Sequence, residues 1–273
     1  MLTPITLALI LTAPAPPAAV PAPLAPALPG LVQDDDEKEK KPDKRDEIKA
    51  ALKALKGHIA KRGAEDTEAT AIIDTLLQEF PESGPKDRQD IVKGINGCLK
   101  VKRKPTKEGL TDNKLFIASA AALGRMGPES VKDLSKWVGH KQFVKDLETR
   151  RALILGLGTT KDEDGVDPLT DLLTNHEPAI QAAAAEALGQ FGHLEQKERK
   201  EVFKKTLDVI TQVKNALDVG QTDPIVRDRY DTIAGPMLTT LQILSGHDAR
   251  DPLVFRKWWN DNKKKDWDEG KDG

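Results

Sequence analysis

Residues 118–127 read Ala-Ser-Ala-Ala-Ala-Leu-Gly-Arg-Met-Gly, and residues 182–192 echo them as Ala-Ala-Ala-Ala-Glu-Ala-Leu-Gly-Gln-Phe-Gly. A third copy, Arg-Ala-Leu-Ile-Leu-Gly-Leu-Gly, lies between them at residues 151–158. The leucine in front of the first glycine recurs after 32 and then 33 residues, at Leu123, Leu155 and Leu188. A period near 33 with two helices per unit is typical of a solenoid, whose units bury their apolar faces only by stacking.

Each copy is followed by a second stretch with apolar residues at helical spacing. The alanines of the first helix allow neighbouring helices to approach closely, and we expect the glycines to end that helix in the left-handed conformation. No stretch alternates apolar and polar residues as a strand does. The predicted fold is therefore all-α, an α-solenoid of antiparallel helix pairs. The second helices carry their apolar residues at Val131, Leu134 and Val138, and at Val166, Leu169, Leu172 and Leu173.

The repeated stretch resembles the HEAT-repeat family, in particular the HEAT-like repeats of phycobilisome lyases, with the pattern A-x-x-A-L-G-x-x-G. The copy at 182–192 matches in full, whereas the copy at 118–127 has Ser119 in place of the first alanine. The resemblance covers roughly residues 115–192 and implies an architecture more than a function, because the family includes adaptors, inhibitors and a few enzymes. The residues that carry the motif are Leu123, Gly124, Gly127, Leu155, Gly156, Leu188, Gly189 and Gly192.

The chain divides into four predicted parts. Residues 1–33 contain no Asp, Glu, Lys or Arg, and their apolar run at 5–11 resembles the core of a secretory signal. We therefore expect export to the periplasm, the cell envelope or the medium, with a disordered Ala/Pro tail on a cytoplasmic protein as the alternative. Prolines interrupt the run, so no membrane span is expected. A charged linker (34–45), a repeat domain (46–248) and a Trp-rich C-terminal helix or cap and tail (249–273) follow.

The charge balance argues against several functions. The 42 basic and 44 acidic side chains give a net charge of -2, whereas a nucleic-acid binder usually carries a basic surplus. The basic run from Lys100 to Lys107 is expected to be a solvated loop, so nucleic acid is not an expected partner. The single cysteine, Cys98, excludes an intramolecular disulfide and a cysteine-cluster zinc site, and is expected to be a buried small hydrophobic residue.

One acidic loop has partial calcium-loop spacing. Residues 160–165 align with the first half of such a loop, with Asp162 and Asp164 as ligands and Asp171 at the last position. Thr160 stands where the first carboxylate is usual, and Asp171 is shorter than the bidentate glutamate. An inter-repeat turn, with Asp167 capping the next helix, is therefore the favoured interpretation.

The aromatic residues concentrate near the C-terminus. Trp258 and Trp259 follow the last repeat, and a third tryptophan lies within ten residues of Trp258. A helical array needs its exposed end covered, so we expect the pair to cap the array, with docking of a partner at Trp258 and Trp259 as the alternative.

The expected function is a noncatalytic scaffold or adaptor that binds a protein partner along the repeat surface. No nucleophile elbow, P-loop or dinucleotide fingerprint occurs, no two histidines are spaced i, i+4, and no catalytic residue or cofactor is predicted. Two alternatives stay open: an enzyme related to the bilin lyases, implied only by the repeat type, and a structural component of the cell envelope.

Overall fold

The computed structural model describes residues 41–103, 112–220 and 223–269. The chain divides into a unit Met1–Glu39 and a unit Lys40–Gly273, and every described residue belongs to the second unit. These described residues form α-helices and short 3₁₀ turns without a strand, as the sequence predicts. The helices are α1 (Asp46–Ile59), α2 (Asp66–Glu79), α3 (Pro85–Leu99), α4 (Lys114–Arg125), α5 (Val131–Val138), α6 (Leu147–Thr159), α7 (Val166–Leu172), α8 (Pro178–Leu188), α9 (Gln196–Val219), α10 (Pro224–Ser245) and α11 (Pro252–Asn262).

The helices of the repeat unit form two layers. Helices α2, α4, α6, α8 and α10 each pack against the next, and we call this series the first layer. Helices α3, α5, α7 and α9 pack against α4, α6, α8 and α10 respectively, and form the second layer. Helix α1 packs on α2 and α3 at one end, and α11 packs on α9 at the other. This is the helix-pair stacking of an α-solenoid.

The first-layer helices meet through their backbones at the repeated glycines. A Cβ atom at Gly124 would lie 2.6 Å from the carbonyl oxygen of Gly156, and one at Gly156 would lie 2.6 Å from that of Ala120. Between α6 and α8, a Cβ at Gly158 would lie 2.8 Å from the Cα of Ala187. Glycine is needed at these positions because any larger residue would push two helices apart.

The expectation that the motif glycines end their helices in the left-handed conformation is therefore wrong for most of them. Gly124 and Gly156 lie inside α4 and α6, and Gly189 follows α8 with a right-handed φ of -61°. Only Gly127 of the motif has a positive φ, 67°. The physical reason is that close approach of neighbouring helices, rather than chain reversal, requires the missing side chain. Gly246, with φ 71°, does end α10 in the expected way.

Two further local details differ from simple sequence rules. Helix α7 begins at Val166 with Gly165 as its N-cap, so Asp167 lies in the first turn and does not cap the helix. Helix α10 continues through Pro236 without a break. Ile233 and Met237 are fully buried on either side of this proline, so the packing of α10 against α8 and α9 maintains the helix.

The start of the described chain is attached to α3 by two reciprocal carboxylate contacts. The Asp43 carboxylate accepts hydrogen bonds from the backbone N–H groups of Asp87 (2.7 Å) and Lys86 (3.2 Å), in the first turn of α3. The Asp87 carboxylate in turn accepts from the N–H groups of Lys44 (3.0 Å) and Arg45 (3.1 Å), just before α1. Each carboxylate satisfies N–H groups that a helix start leaves free, so residues 43–45 of the predicted linker contact the repeat unit.

We expect Asp43→Ala to loosen this attachment at neutral pH but not in acid. Burial favours a higher pKa for Asp43, but the N–H donors of Asp87, Lys86 and Lys44 outweigh it and hold the pKa below its ordinary value of 3.8. A lowered pKa means that the stabilisation is present above pH 3.8 and is lost as the pH falls through the lowered value. Amide hydrogen exchange at Lys86 and Asp87 should therefore accelerate severalfold in the variant at pH 7.

Asp46→Ala is the matched control, because the Asp46 carboxylate is 95% exposed and, among the described residues, bonds only to Lys49. It should leave exchange at Lys86 and Asp87 unchanged. Equal exchange rates at these amides in Asp43→Ala and Asp46→Ala would contradict the attachment through Asp43. So would a difference in exchange rate between the two variants that persists unchanged at low pH.

Candidate functional site

A groove between α4 and α6 has a mainly apolar lining. Its volume is about 580 Å³. The walls and floor are lined by the apolar residues Ile117, Ala121, Ala152, Leu155 and Gly156. Arg125 and Thr159 line it where the two helices end, and Glu148 and Arg151 line it near the start of α6.

Small residues create this groove. Ala121 on α4 and Ala152 on α6 fill little of the space between the helices, and Gly156 contributes no side chain to the floor. Ala121 is exposed, and Ile117 and Leu155 are half-buried. The solvent side of an amphipathic helix usually carries polar residues. A group of apolar side chains on that side therefore indicates a contact surface.

The charged side chains around the groove differ in whether they have a hydrogen-bonding or ion-pair partner. Arg151 forms an ion pair of 2.8 Å with Glu186 on α8. The Glu148 carboxylate accepts a 2.8 Å hydrogen bond from the side-chain amide of Asn113. The Arg125 side chain forms no hydrogen bond or ion pair with the described residues. It is exposed at the C-terminal end of α4.

The grooves of the second layer are lined mainly by charged side chains. A groove of about 870 Å³ between α3 and α5 is lined by charges of both signs, including Lys93, Asp90 and Asp133. A second groove, of about 580 Å³, between α5 and α7 places Lys132 and Lys136 opposite acidic residues of the 163–167 segment. These surfaces lack the apolar lining of the groove between α4 and α6.

The calcium candidates lie on a turn and a helix. The Asp162 side chain accepts a 3.0 Å hydrogen bond from the backbone N–H of Asp164 and so caps a 3₁₀ turn. Asp171 lies on α7 and is exposed. Within the described ranges, no group of three or more His, Cys, Asp or Glu residues could hold a metal ion. A turn at this place is one part of the favoured interpretation of the loop, whereas the expected cap at Asp167 is wrong.

The C-terminal tryptophans surround one phenylalanine of α9. Phe203 is fully buried, with ring centroids 5.5 Å from Trp259, 5.3 Å from Trp267 and 5.6 Å from Trp258. Trp259 and Trp267 are themselves buried at 9% and 8% exposure. Trp258 is half-buried, and its ring stacks on His247. This packing supports a capping role, and docking of a partner at Trp258 and Trp259 stays a prediction.

Arg199 ties the same C-terminal segment to the repeat unit. Its guanidinium group is almost fully buried, donates to the backbone carbonyls of Leu194 (2.9 Å) and Leu244 (3.1 Å), and pairs with Asp268. The sequence alone does not indicate this role of Arg199, because its partners lie up to 69 residues away.

The cysteine is buried as expected, whereas the basic run is only partly solvated, because Lys100 and Lys102 are exposed and Arg103 is not. Cys98 is fully buried, and burial raises the pKa of its thiol to about 11, which disfavours the reactive thiolate. Arg103 forms an ion pair of 2.5 Å with Asp66, in which both side chains are nearly buried. Lys104 and Lys107 lie outside the described residues. No helix in the described ranges is long and apolar enough to cross a membrane.

The comparisons with known proteins agree with this architecture. The family model described as HEAT repeats matches residues 143–209, which contain α6, α7, α8 and the first half of α9. No curated protein and no solved structure matches the chain. Residues 143–209 of the chain therefore contain HEAT repeats.

Proposed function

We propose that the protein is a noncatalytic scaffold that binds a partner protein along the first layer, with the groove between α4 and α6 as the main contact. HEAT repeats commonly act as protein-interaction scaffolds. Stacked helix pairs present a rigid and extended face, so complementarity of shape and charge, rather than chemistry, would select the partner.

The apolar lining of this groove is the observation that carries the proposal. Ile117, Ala121 and Leu155 remain accessible, although the surrounding surface is rich in charged residues. Covering such a lining releases water from apolar surface, at about 25 cal/mol per Å² removed from solvent. The second-layer grooves offer mainly charged side chains, which contribute less when they are buried.

A comparison of two surface variants tests this proposal. Ala121→Asp places a charge in the groove without replacing a buried residue, and Lys93→Asp changes an exposed residue of the second layer. Affinity purification of the tagged protein from its native host should yield one stoichiometric partner. That partner should be lost with Ala121→Asp and retained with Lys93→Asp, while circular dichroism shows both variants folded.

Two results would contradict the proposal. The first is the absence of any stoichiometric partner of the native protein. The second is equal retention of the partner by both variants, or its loss with Lys93→Asp alone, which would place the contact on another surface.

We also propose that the protein is exported. The support is the uncharged, apolar sequence of residues 1–33, which lie outside the described part. N-terminal sequencing of the native protein should begin after this stretch. A native chain that starts at Met1 would contradict cleavage of a signal.

A further inference from the structure

The groove between α4 and α6 has charges of opposite sign at its two ends. Glu148 lies in the first turn of α6, at one end, and Arg125 lies in the last turn of α4, at the other. Arg151, between them, already forms an ion pair of 2.8 Å with Glu186. The groove therefore runs from a carboxylate to a guanidinium group across an apolar middle.

Of the two arginines that line this groove, Arg125 is the one without an acidic partner among the described residues. A guanidinium group carries five N–H donors in a planar fork that matches a carboxylate. In the described part of the chain, the Arg125 guanidinium donates to no acceptor, whereas the Arg151 guanidinium donates one hydrogen bond to Glu186 on α8. A ligand carboxylate at Arg125 would thus gain a charge-assisted contact without breaking an existing one.

On the basis of the proposed function, we propose that the groove binds a partner segment that carries aliphatic side chains next to an acidic residue, with the carboxylate on Arg125. The aliphatic side chains occupy the space over Ala121, Leu155 and Gly156. The acidic residue lies at the Arg125 end, because Glu148 repels a carboxylate at the opposite end. The charge complementarity therefore selects both the chemistry and the direction of the segment.

Selection from a displayed library of randomised peptides tests this inference on the full chain. The peptides that bind the native protein should be enriched in Asp or Glu beside Leu, Ile, Val or Met. Synthetic copies should lose about tenfold in affinity when their acidic residue is replaced by its amide, as expected for a lost charge-assisted hydrogen bond. Arg125→Gln should cause the same loss, and Arg125→Lys should recover part of it.

Lys93→Gln removes the same charge from the second layer and should leave the peptide affinity unchanged. Glu148→Gln should not weaken binding. Selected peptides without acidic enrichment, equal affinity for the acid and amide forms, or no effect of Arg125→Gln would overturn the inference, as would failure to select any peptide. The proposed scaffold function is judged separately, by retention of the native partner in the Ala121→Asp and Lys93→Asp variants.

Discussion

Phe203→Ala is expected to lower the free energy of unfolding by about 3–5 kcal/mol, the usual cost of removing a fully buried phenylalanine side chain. Phe203 lies in α9 and is fully buried. Its ring contacts the rings of Phe255 at 5.9 Å, Trp259 at 5.5 Å and Trp267 at 5.3 Å between centroids. The substitution leaves a cavity between α9 and the C-terminal segment. The loss of unfolding free energy therefore exceeds the free energy of transferring the removed apolar atoms to water.

Urea denaturation followed by tryptophan fluorescence measures this change, because the surrounding tryptophans report on the packing. Val219→Ala in the same helix is the control, since Val219 is 92% exposed. It should change the free energy of unfolding by less than about 0.5 kcal/mol. If Phe203→Ala were as mild as Val219→Ala, the C-terminal segment would not pack on α9 as described.

Gly124→Ala is expected to lower the free energy of unfolding by about 1–3 kcal/mol, although alanine is the better helix former. The added methyl group would lie 2.6 Å from the carbonyl oxygen and 2.7 Å from the Cα of Gly156. Both atoms belong to the backbone of α6, so no side-chain rotation relieves the contact. The two helices have to separate, and the packing on both sides of them weakens.

Gly57→Ala makes the same substitution inside α1, at an exposed position where no atom outside the adjacent residues and the surrounding helix backbone lies within 4 Å of the added Cβ. This variant should be more stable than the native protein by about 0.5–1 kcal/mol, because glycine loses more backbone entropy on folding. Thermal or urea unfolding of the two variants should therefore shift in opposite directions. A shift of both in the stabilising direction would contradict backbone contact between α4 and α6.

The repeat architecture was predictable because its signals are local and periodic. Leu123, Leu155 and Leu188 are fully or half-buried at equivalent places in α4, α6 and α8. The role of the glycines was not predictable in the same way. A glycine that ends a helix and a glycine that admits a neighbouring helix have the same local sequence, and only the position of the neighbour distinguishes them.

The candidate site was less predictable than the fold. The sequence indicated a protein-binding repeat surface, but it did not show which side of α4 and α6 stays uncovered. The ion pair between Arg151 and Glu186 joins residues 35 positions apart. Sequence spacing therefore does not show that Arg151 has an acidic partner and Arg125 has none. One feature of the sequence does point to the groove. The helix at 114–125 has more apolar residues, such as Ile117 and Ala121, than one buried helix face requires.

Site-specific photo-crosslinking in the native host tests the central claim most directly, namely that the first-layer groove contacts a protein partner. A photoreactive amino acid is placed at Ala121 in the groove or, as the control, at Lys93 in the second layer. We expect one discrete crosslinked protein from position 121, the same one that copurifies with the native chain, and none from position 93. Crosslinking from position 93 but not from position 121, or from neither, would contradict it.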